Sequence, residues 1–494
     1  MKLKNKIQII ISSIALIGAT SGCTKFLNVM PVGQTTIPVL FSDMDGIRAA
    51  VPGAYSKMYD YYSAHFYLYP ELTGDLINPS LSSISEGQAN IYNFSSIPEE
   101  EAAPSAKIWS DIFESLANSN NALFYLPDLR QKYPQYVAEL DVYNAELLFL
   151  RALAHFDLCR VYAQPYNYTS DASHLGVPVL KRTPGPDDVV ARQSVKAVYE
   201  AIIDDLHTAK QIYDRVGSIR KANERPYFAS KDAVQALLSR VYLYMGDWDS
   251  TILHANEVIA RNSLALGANY TNMFFSLSGP ETETIFRLNG LDKGSGVFSF
   301  YNFRTQTGVV QPAGMPSNIL IQAFSNESDV RKSELMQEIE LGSNFYYVTR
   351  KFDAEQIVTE NNKQHVNPIV LRLSEVYLNR AEAYINKNLP SFAADDIKTI
   401  QARALNQDPS EIILPENDLS AMKAIVYEER IRELALEGHR LFDITRRKQD
   451  LVRDSGTTSA IKELKYPSDY FILPIPQREL DANPNMKPNP TVNN

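Results

Sequence analysis

The run from Tyr59 to Ser80, YDYYSAHFYLYPELTGDLINPS, sets phenol rings beside a carboxylate and a carboxamide. That mixture suits a sugar ring, which has an apolar face and a rim of hydroxyls. An aromatic ring stacks on the face, while Asp, Asn and Arg bond the rim, most strongly where one partner is charged. Some of the tyrosines have another task. Ile47, Val51, Tyr55, Met58 and Tyr62 recur at helical spacing and predict one apolar face turned to a core. Tyr59 goes with that face. Tyr61, Tyr67 and Tyr69 fall off it or beyond the helix, and Asp75 and Asn78 follow in a predicted loop. These five are the candidate ligand contacts.

Residues for covalent or metal chemistry are not grouped in this way. HExxH, GxSxG, GxGxxG and P-loop patterns are absent from the sequence. His65, His155, His174, His207, His254, His365 and His439 are scattered, with no Cys or carboxylate at the spacing of a zinc site. Asp204-Asp205 and Asp395-Asp396 are adjacent on predicted helices, where neighbours point different ways. They read as solvated helix faces rather than acid–base pairs. No catalytic residue, metal or cofactor is predicted, and a glycoside hydrolase is disfavoured.

Cysteine is used twice in 494 residues. Lys2, Lys4 and Lys6 precede an apolar run from Ile7 to Ala19, and Thr20, Ser21 and Gly22 lead to Cys23. A basic start, a short apolar middle and a small-residue exit make a secretory signal. The run is shorter than the ~20 residues a membrane span needs. The segment resembles a bacterial lipoprotein signal, which implies that Cys23 is acylated and becomes the first mature residue. Cys159 would then be the only thiol, with no intramolecular disulfide to form. The formal charge of −10 becomes −13 without the three signal lysines. That balance argues against nucleic acid or an anionic membrane surface as partner.

The elements that must position the candidate residues are mostly helical. A signal occupies 1–22 and a polar tether 23–40. The region 41–260 reads as helices and 261–494 as a second, more irregular region. Ser42 is expected to cap a helix of ~20 residues, with Asp45 as its partner. Further helices are predicted around Trp109 to Leu123, over Asn144–Tyr162 and over Val195–Tyr213. Ser230 should cap a helix to Met245; Gly246-Asp247-Trp248 turns the chain into another carrying Ile252, Ala255 and Ile259. Ser374–Arg403 repeats that plan, which is the tetratricopeptide pattern. The stretch 261–370 is rich in Gly, Ser, Asn and aromatics and predicts long loops with short strands on the helical frame. A final helix is expected from Leu419 to Gly438, followed by a Pro-rich tail held by packing or left loose. Within EERIRELALEGHR, ion pairs three or four residues apart are expected along the helix.

The segments LRLSEVYLNRAEAYINKN, EERIRELALEGHRLFDITRR and YFILPIPQRELDANPNMKPNP strongly resemble, in that order, the RagB/SusD family of outer-membrane nutrient-binding lipoproteins. Upstream, IWSDIFESLANSNNALF, AELLFLRALAHFDLCRVYAQPY and KDAVQALLSRVYLYMGDWD are similar to the same family's helices, so the resemblance spans essentially the whole chain. Arg447 departs from the family's usual Trp after Asp443-Ile444-Thr445-Arg446. The resemblance implies an all-α scaffold of tetratricopeptide-like helical pairs carrying a large irregular loop-rich ligand-binding region. It implies a non-catalytic lipoprotein facing outward from the cell outer membrane. Such a protein captures a glycan or peptide for a SusC-like TonB-dependent transporter. It also places ligand residues in the loops after the middle repeats, here Tyr270, Phe298, Phe300 and Tyr301. A lipid-anchored periplasmic scaffold that binds other proteins is the alternative.

Overall fold

The computed structural model describes residues 36–221, 224–275, 283–290, 293–305, 308–352 and 366–490. Cys23 and the expected lipoprotein signal lie outside them. The chain begins with a short helix α1 (Ile37–Leu40), then α2 (Met44–Tyr62) and α3 (His65–Leu72). Strand β1 (Ile77–Pro79), α4 (Glu86–Tyr92), α5 (Pro104–Lys132), α6 (Val137–Tyr162) and α7 (Val195–Val216) follow. The cap of α2 is Asp43, whose carboxylate accepts from the Gly46 N–H at 2.9 Å. Ser42 instead donates to the Val39 carbonyl at the end of α1, which moves the expected cap one residue along the chain. Helix α6 starts seven residues before the expected Asn144. Its residues are buried on every side, as expected for a central helix, and it packs between α5 and α7.

The next two helices, α8 (Lys231–Met245) and α9 (Trp248–Ile259), form the expected pair. The Ser230 hydroxyl accepts from the Ala233 N–H at 3.2 Å. Gly246 turns the chain with φ +76°, a left-handed conformation that glycine adopts without cost. Asp247 caps α9 through the Ser250 N–H. The region that follows is irregular: α10 (Ala268–Phe275), β2 (Thr284–Arg287), α11 (Gly296–Tyr301), β3 (Arg304–Thr305), β4 (Gly308–Val309), β5 (Gly314–Pro316), α12 (Asn318–Gln322), α13 (Val330–Ser333), β6 (Met336–Leu341), β7 (Asn344–Thr349) and β8 (Ile369–Arg372). Its strands pair two by two and antiparallel: β1 with β5, β2 with β8, β3 with β4 and β6 with β7. The expected short strands are present, set among small helices.

A second helical pair, α14 (Leu373–Asn386) and α15 (Pro390–Leu405), precedes α16 (Leu419–Leu434) and α17 (Arg440–Arg446). Helix α14 packs on α9, so the two pairs stack on one another. The chain closes with β9 (Leu451–Val452), β10 (Glu463–Leu464) and α18 (Gln477–Ala482). Packing fixes the Pro-rich tail: the Leu473 N–H donates to the Val161 carbonyl at 3.0 Å, and the Gln477 N–H to Pro98 at 2.9 Å. Asn489 donates to the Tyr162 and Leu473 carbonyls.

The charges of EERIRELALEGHR mostly leave their own helix. Only Arg432 pairs along it, with Glu428 and Glu429. Glu429 and Glu433 reach Arg331, Glu433 reaches Arg372 and Arg403, and Glu437 takes Arg372 and Lys351. Apart from Glu428 and Arg432, these groups are buried. Buried ions of both signs must be fully matched to offset their loss of hydration, and this network matches them across loops, β8, α15 and α16. Arg430 likewise crosses to Asp443, which with Glu382 holds Arg446.

Candidate functional site

Eight of the nine ring or polar candidates are buried. Helix α3 sinks Phe66 to Leu72 into the core, which encloses Tyr67 and Tyr69; Asp75 follows in the expected loop but is buried there as well. Tyr61 donates to the Asp157 carboxylate at 3.1 Å and packs on Tyr62 and Phe66. Tyr69 donates to the Phe471 carbonyl at 3.2 Å. Tyr67 and Tyr301 both meet Phe352, Tyr301 stacking on it at 5.0 Å. Phe298 and Phe300 lie on the same short helix, α11, with less than 4% of either exposed. Tyr270 lies under the Arg403 guanidinium, 3.8 Å from its ring centre. Asp75 is held by a two-pronged pair with Arg440, at 2.5 and 2.7 Å. Asn78 alone is half-buried; on β1 it donates to Asp454 at 3.1 Å. A sugar face meets none of the buried rings in this packing.

An open cleft of about 450 Å³ lies elsewhere, between α2, α5 and the segment before α11, and none of the nine candidates lines it. It is lined by Lys57, Tyr59, Asp60 and Ser63 of α2 and its end, His65 of α3, Lys107, Asp111 and Glu114 of α5, and Lys293 with Gly294. It thus unites the two parts of the chain, near residue 60 and near residue 295, from which ligand contacts are expected. Lys57 pairs with Glu114 at 3.0 Å and Asp60 at 3.6 Å. Lys293 pairs with Asp60 at 2.5 Å and donates to the Ser56 carbonyl at 3.1 Å. Lys107 pairs with Asp111. Glu114 and Lys107 are each 50% exposed, so the rim stays hydrated. The Glu114 carboxylate, bonded to Lys57, raises the ammonium's pKa. Burial pushes the Tyr59 phenol up to about 12 and His65 below its ordinary value. Tyr59 is therefore a neutral hydroxyl at physiological pH.

The arrangement offers alternating cationic donors and anionic acceptors over a protein floor. It can bind a ligand rich in hydroxyls or other neutral polar groups through charge-assisted hydrogen bonds. Its carboxylates are each engaged by a lysine. The sequence signal for this site was the spacing Lys57–Asp60 on α2 and Lys107–Asp111–Glu114 on α5, polar stripes that a search for aromatic stacking passes over. Among the described residues, no group of three or more His, Cys, Asp or Glu side chains is placed to hold a metal ion. No helix among them is long and apolar enough to cross a membrane.

Comparison with known proteins agrees with this architecture. Residues 295–491 match the SusD family model, and residues 40–243 match a family model described as starch-binding associating with outer membrane. SusD-like protein P25 of Formosa agariphila is 23% identical over 542 residues, covering 99% of both chains. SusD-like protein P2 of the same organism is 24% identical, covering 98% of this chain and 99% of its own. A solved SusD superfamily protein from Bacteroides thetaiotaomicron has the same fold, with TM-score 0.78 at 23% identity over 91% of this chain and all of its own. A candidate sugar-binding protein from Bacteroides vulgatus superposes with TM-score 0.77 at 26% identity, over 91% of this chain and 98% of its own. Two family models that share most of the helical frame and the loop region, relatives aligned end to end and the common fold lead to one assignment: the chain belongs to the SusD/RagB family.

Proposed function

We propose that this protein is a non-catalytic, lipid-anchored nutrient binder of the outer membrane. It takes up an oligosaccharide or polysaccharide and passes it to a SusC-like TonB-dependent transporter. The observation that carries this reading is the charge-lined cleft formed jointly by α2, α5 and the segment at Lys293 and Gly294. Its volume falls in the range of roughly 300–1,000 Å³ typical of ligand sites. The starch-binding description of the model matching residues 40–243 and the sugar-binding description of a structural relative support a glycan as the ligand. Asn78 with Asp454 offers a further polar contact point at the β1 edge. Hydroxyls of the glycan exchange with water around ion pairs that already exist, so binding needs no new buried charge.

The test is a screen of polysaccharides and peptides against the soluble chain beginning at Thr24, followed by calorimetry. A glycan whose affinity falls about tenfold, or ~1.4 kcal/mol, in Lys57→Ala or Asp60→Ala supports the reading. Binding of peptides alone keeps the uptake role and replaces the ligand class. Undiminished glycan binding in both variants moves the site elsewhere, with Asn78→Ala as the next variant.

A further inference from the structure

The point where the tether enters the fold is unusually apolar on its outside. Ile37 and Val39 of α1 are 47% and 58% exposed, and Phe124 of α5 is 69% exposed. The two elements meet beneath them: Phe41, at the end of α1, stacks on Tyr125 of α5 at 5.0 Å, and Phe124 meets the same ring edge-on at 5.0 Å. The patch continues to the turn between α5 and α6. There Lys132 donates to the Ser42 carbonyl at 2.7 Å, Arg48 lies over Tyr136 at 5.0 Å, and Tyr136 and Val137 are each 37% exposed.

We infer that this end of the molecule rests on the lipid surface to which Cys23 is anchored, with Ile37, Val39 and Phe124 dipping among the lipids. The inference rests on the lipid-anchor reading of Cys23. Thirteen residues, 24–36, separate that cysteine from Ile37. Even fully extended they span at most about 45 Å, so an acylated Cys23 keeps the patch close to the bilayer. An exposed apolar patch rimmed by tyrosines is the composition that partitions into a membrane interface. The charge at this end also bears on the lipid type. Asp43 and Asp45 are exposed beside α1 and are offset there by exposed Lys132 and half-buried Arg48, while the whole chain is acidic, so no net positive charge draws this end to a surface. The contact is therefore with apolar and zwitterionic lipid, insensitive to salt, and not with an anionic surface.

The experiment uses the full acylated chain in phosphatidylethanolamine–phosphatidylcholine vesicles, carrying an environment-sensitive fluorophore at Val39→Cys, Phe124→Cys or Ile413→Cys. Ile413 is 93% exposed, on the loop between α15 and α16, and serves as the control; native Cys159 is buried. The labelled positions are exposed enough to keep the fold, which unchanged circular dichroism verifies. The expected result is a blue shift with about a twofold gain in emission at 39 and 124, absent at 413 and unchanged by salt. A chain that floats with the vesicles but shows no shift at 39 or 124 overturns the inference alone. A shift seen only in native outer membranes overturns it in favour of a protein partner. If the chain does not float, and Cys23→Ser changes nothing, the anchor reading falls and takes the inference with it.

Discussion

Glu71 accepts hydrogen bonds from the backbone N–H groups of Gly438 and His439, at 2.9 and 3.1 Å, through one carboxylate oxygen. The contact joins α3 to the entry of α17 across 367 residues of sequence. Its other oxygen, Oε2, is buried with no hydrogen-bond partner among the described residues. Burial outweighs the two N–H donors and pushes the carboxyl up from 4.5 to about 7.

The sign of the resulting pH effect follows from that shift. Between pH 4.5 and about 7 the folded state holds a proton that the unfolded state has lost, so stability falls as pH rises through that window. The loss is roughly 3 kcal/mol, and it levels off above pH 7. His155 and His439, held by burial near 3, work in the opposite direction, losing stability as pH falls below 6.5. Comparison with Glu71→Gln isolates the carboxyl. The Gln oxygen keeps both N–H donors, so the stability of the parent relative to the variant in urea denaturation should fall by roughly 3 kcal/mol as pH rises from 4.5 to 7, whatever the histidines add to both.

Arg372 in the buried network is shared by three carboxylates, Glu283, Glu433 and Glu437. Arg372→Met leaves those carboxylates short of a partner. The expected loss is about 3–5 kcal/mol in denaturant unfolding. Arg372→Lys should recover little, because an ammonium cannot reproduce the fork that meets Glu433 and Glu437 together.

Tyr301 separates packing from polarity. Its ring stacks on Phe352, while its hydroxyl is buried without a hydrogen-bond partner among the described residues. Tyr301→Ala should cost about 3–5 kcal/mol, the usual cost of removing a core aromatic ring. Tyr301→Phe should be neutral or stabilising by up to about 1 kcal/mol, since it removes a desolvated hydroxyl. A paired set of thermal melts decides this. Large losses in both variants would show that the hydroxyl has a partner.

Gly438 sits at φ +79°, and a Cβ there would stand 3.3 Å from the Tyr67 carbonyl oxygen. Gly438→Ala should destabilise by about 1–2 kcal/mol from the left-handed backbone alone, read as a lower midpoint in urea. An unchanged midpoint would mean that the α16–α17 turn relaxes without loss.

Local signals fixed much of the frame in advance. Ser230, Gly246 and Asp247 mark the ends of α8 and α9 through contacts reaching at most five residues along the chain, and such contacts are written in the sequence. The ordered segments of the last third pointed to the family for the same reason. Exposure was not written there. Tyr61, Tyr67 and Tyr69 look free from the periodicity of α2, yet Asp157 and Phe66 cover Tyr61, Phe352 meets Tyr67, and Phe442 with the Phe471 carbonyl covers Tyr69. Periodicity reports one helix's own faces, not how many neighbours enclose it. The partners of Glu433 were equally hidden: helical spacing points to neighbours three or four residues away, whereas Arg372 lies 61 residues off. The cleft depends on Lys293 reaching Asp60, 233 residues apart in sequence. A buried charge takes whichever counter-charge the packed core brings within reach, and a cleft exists only where distant segments fail to close. Both are properties of the tertiary structure, because both depend on which surfaces exclude water.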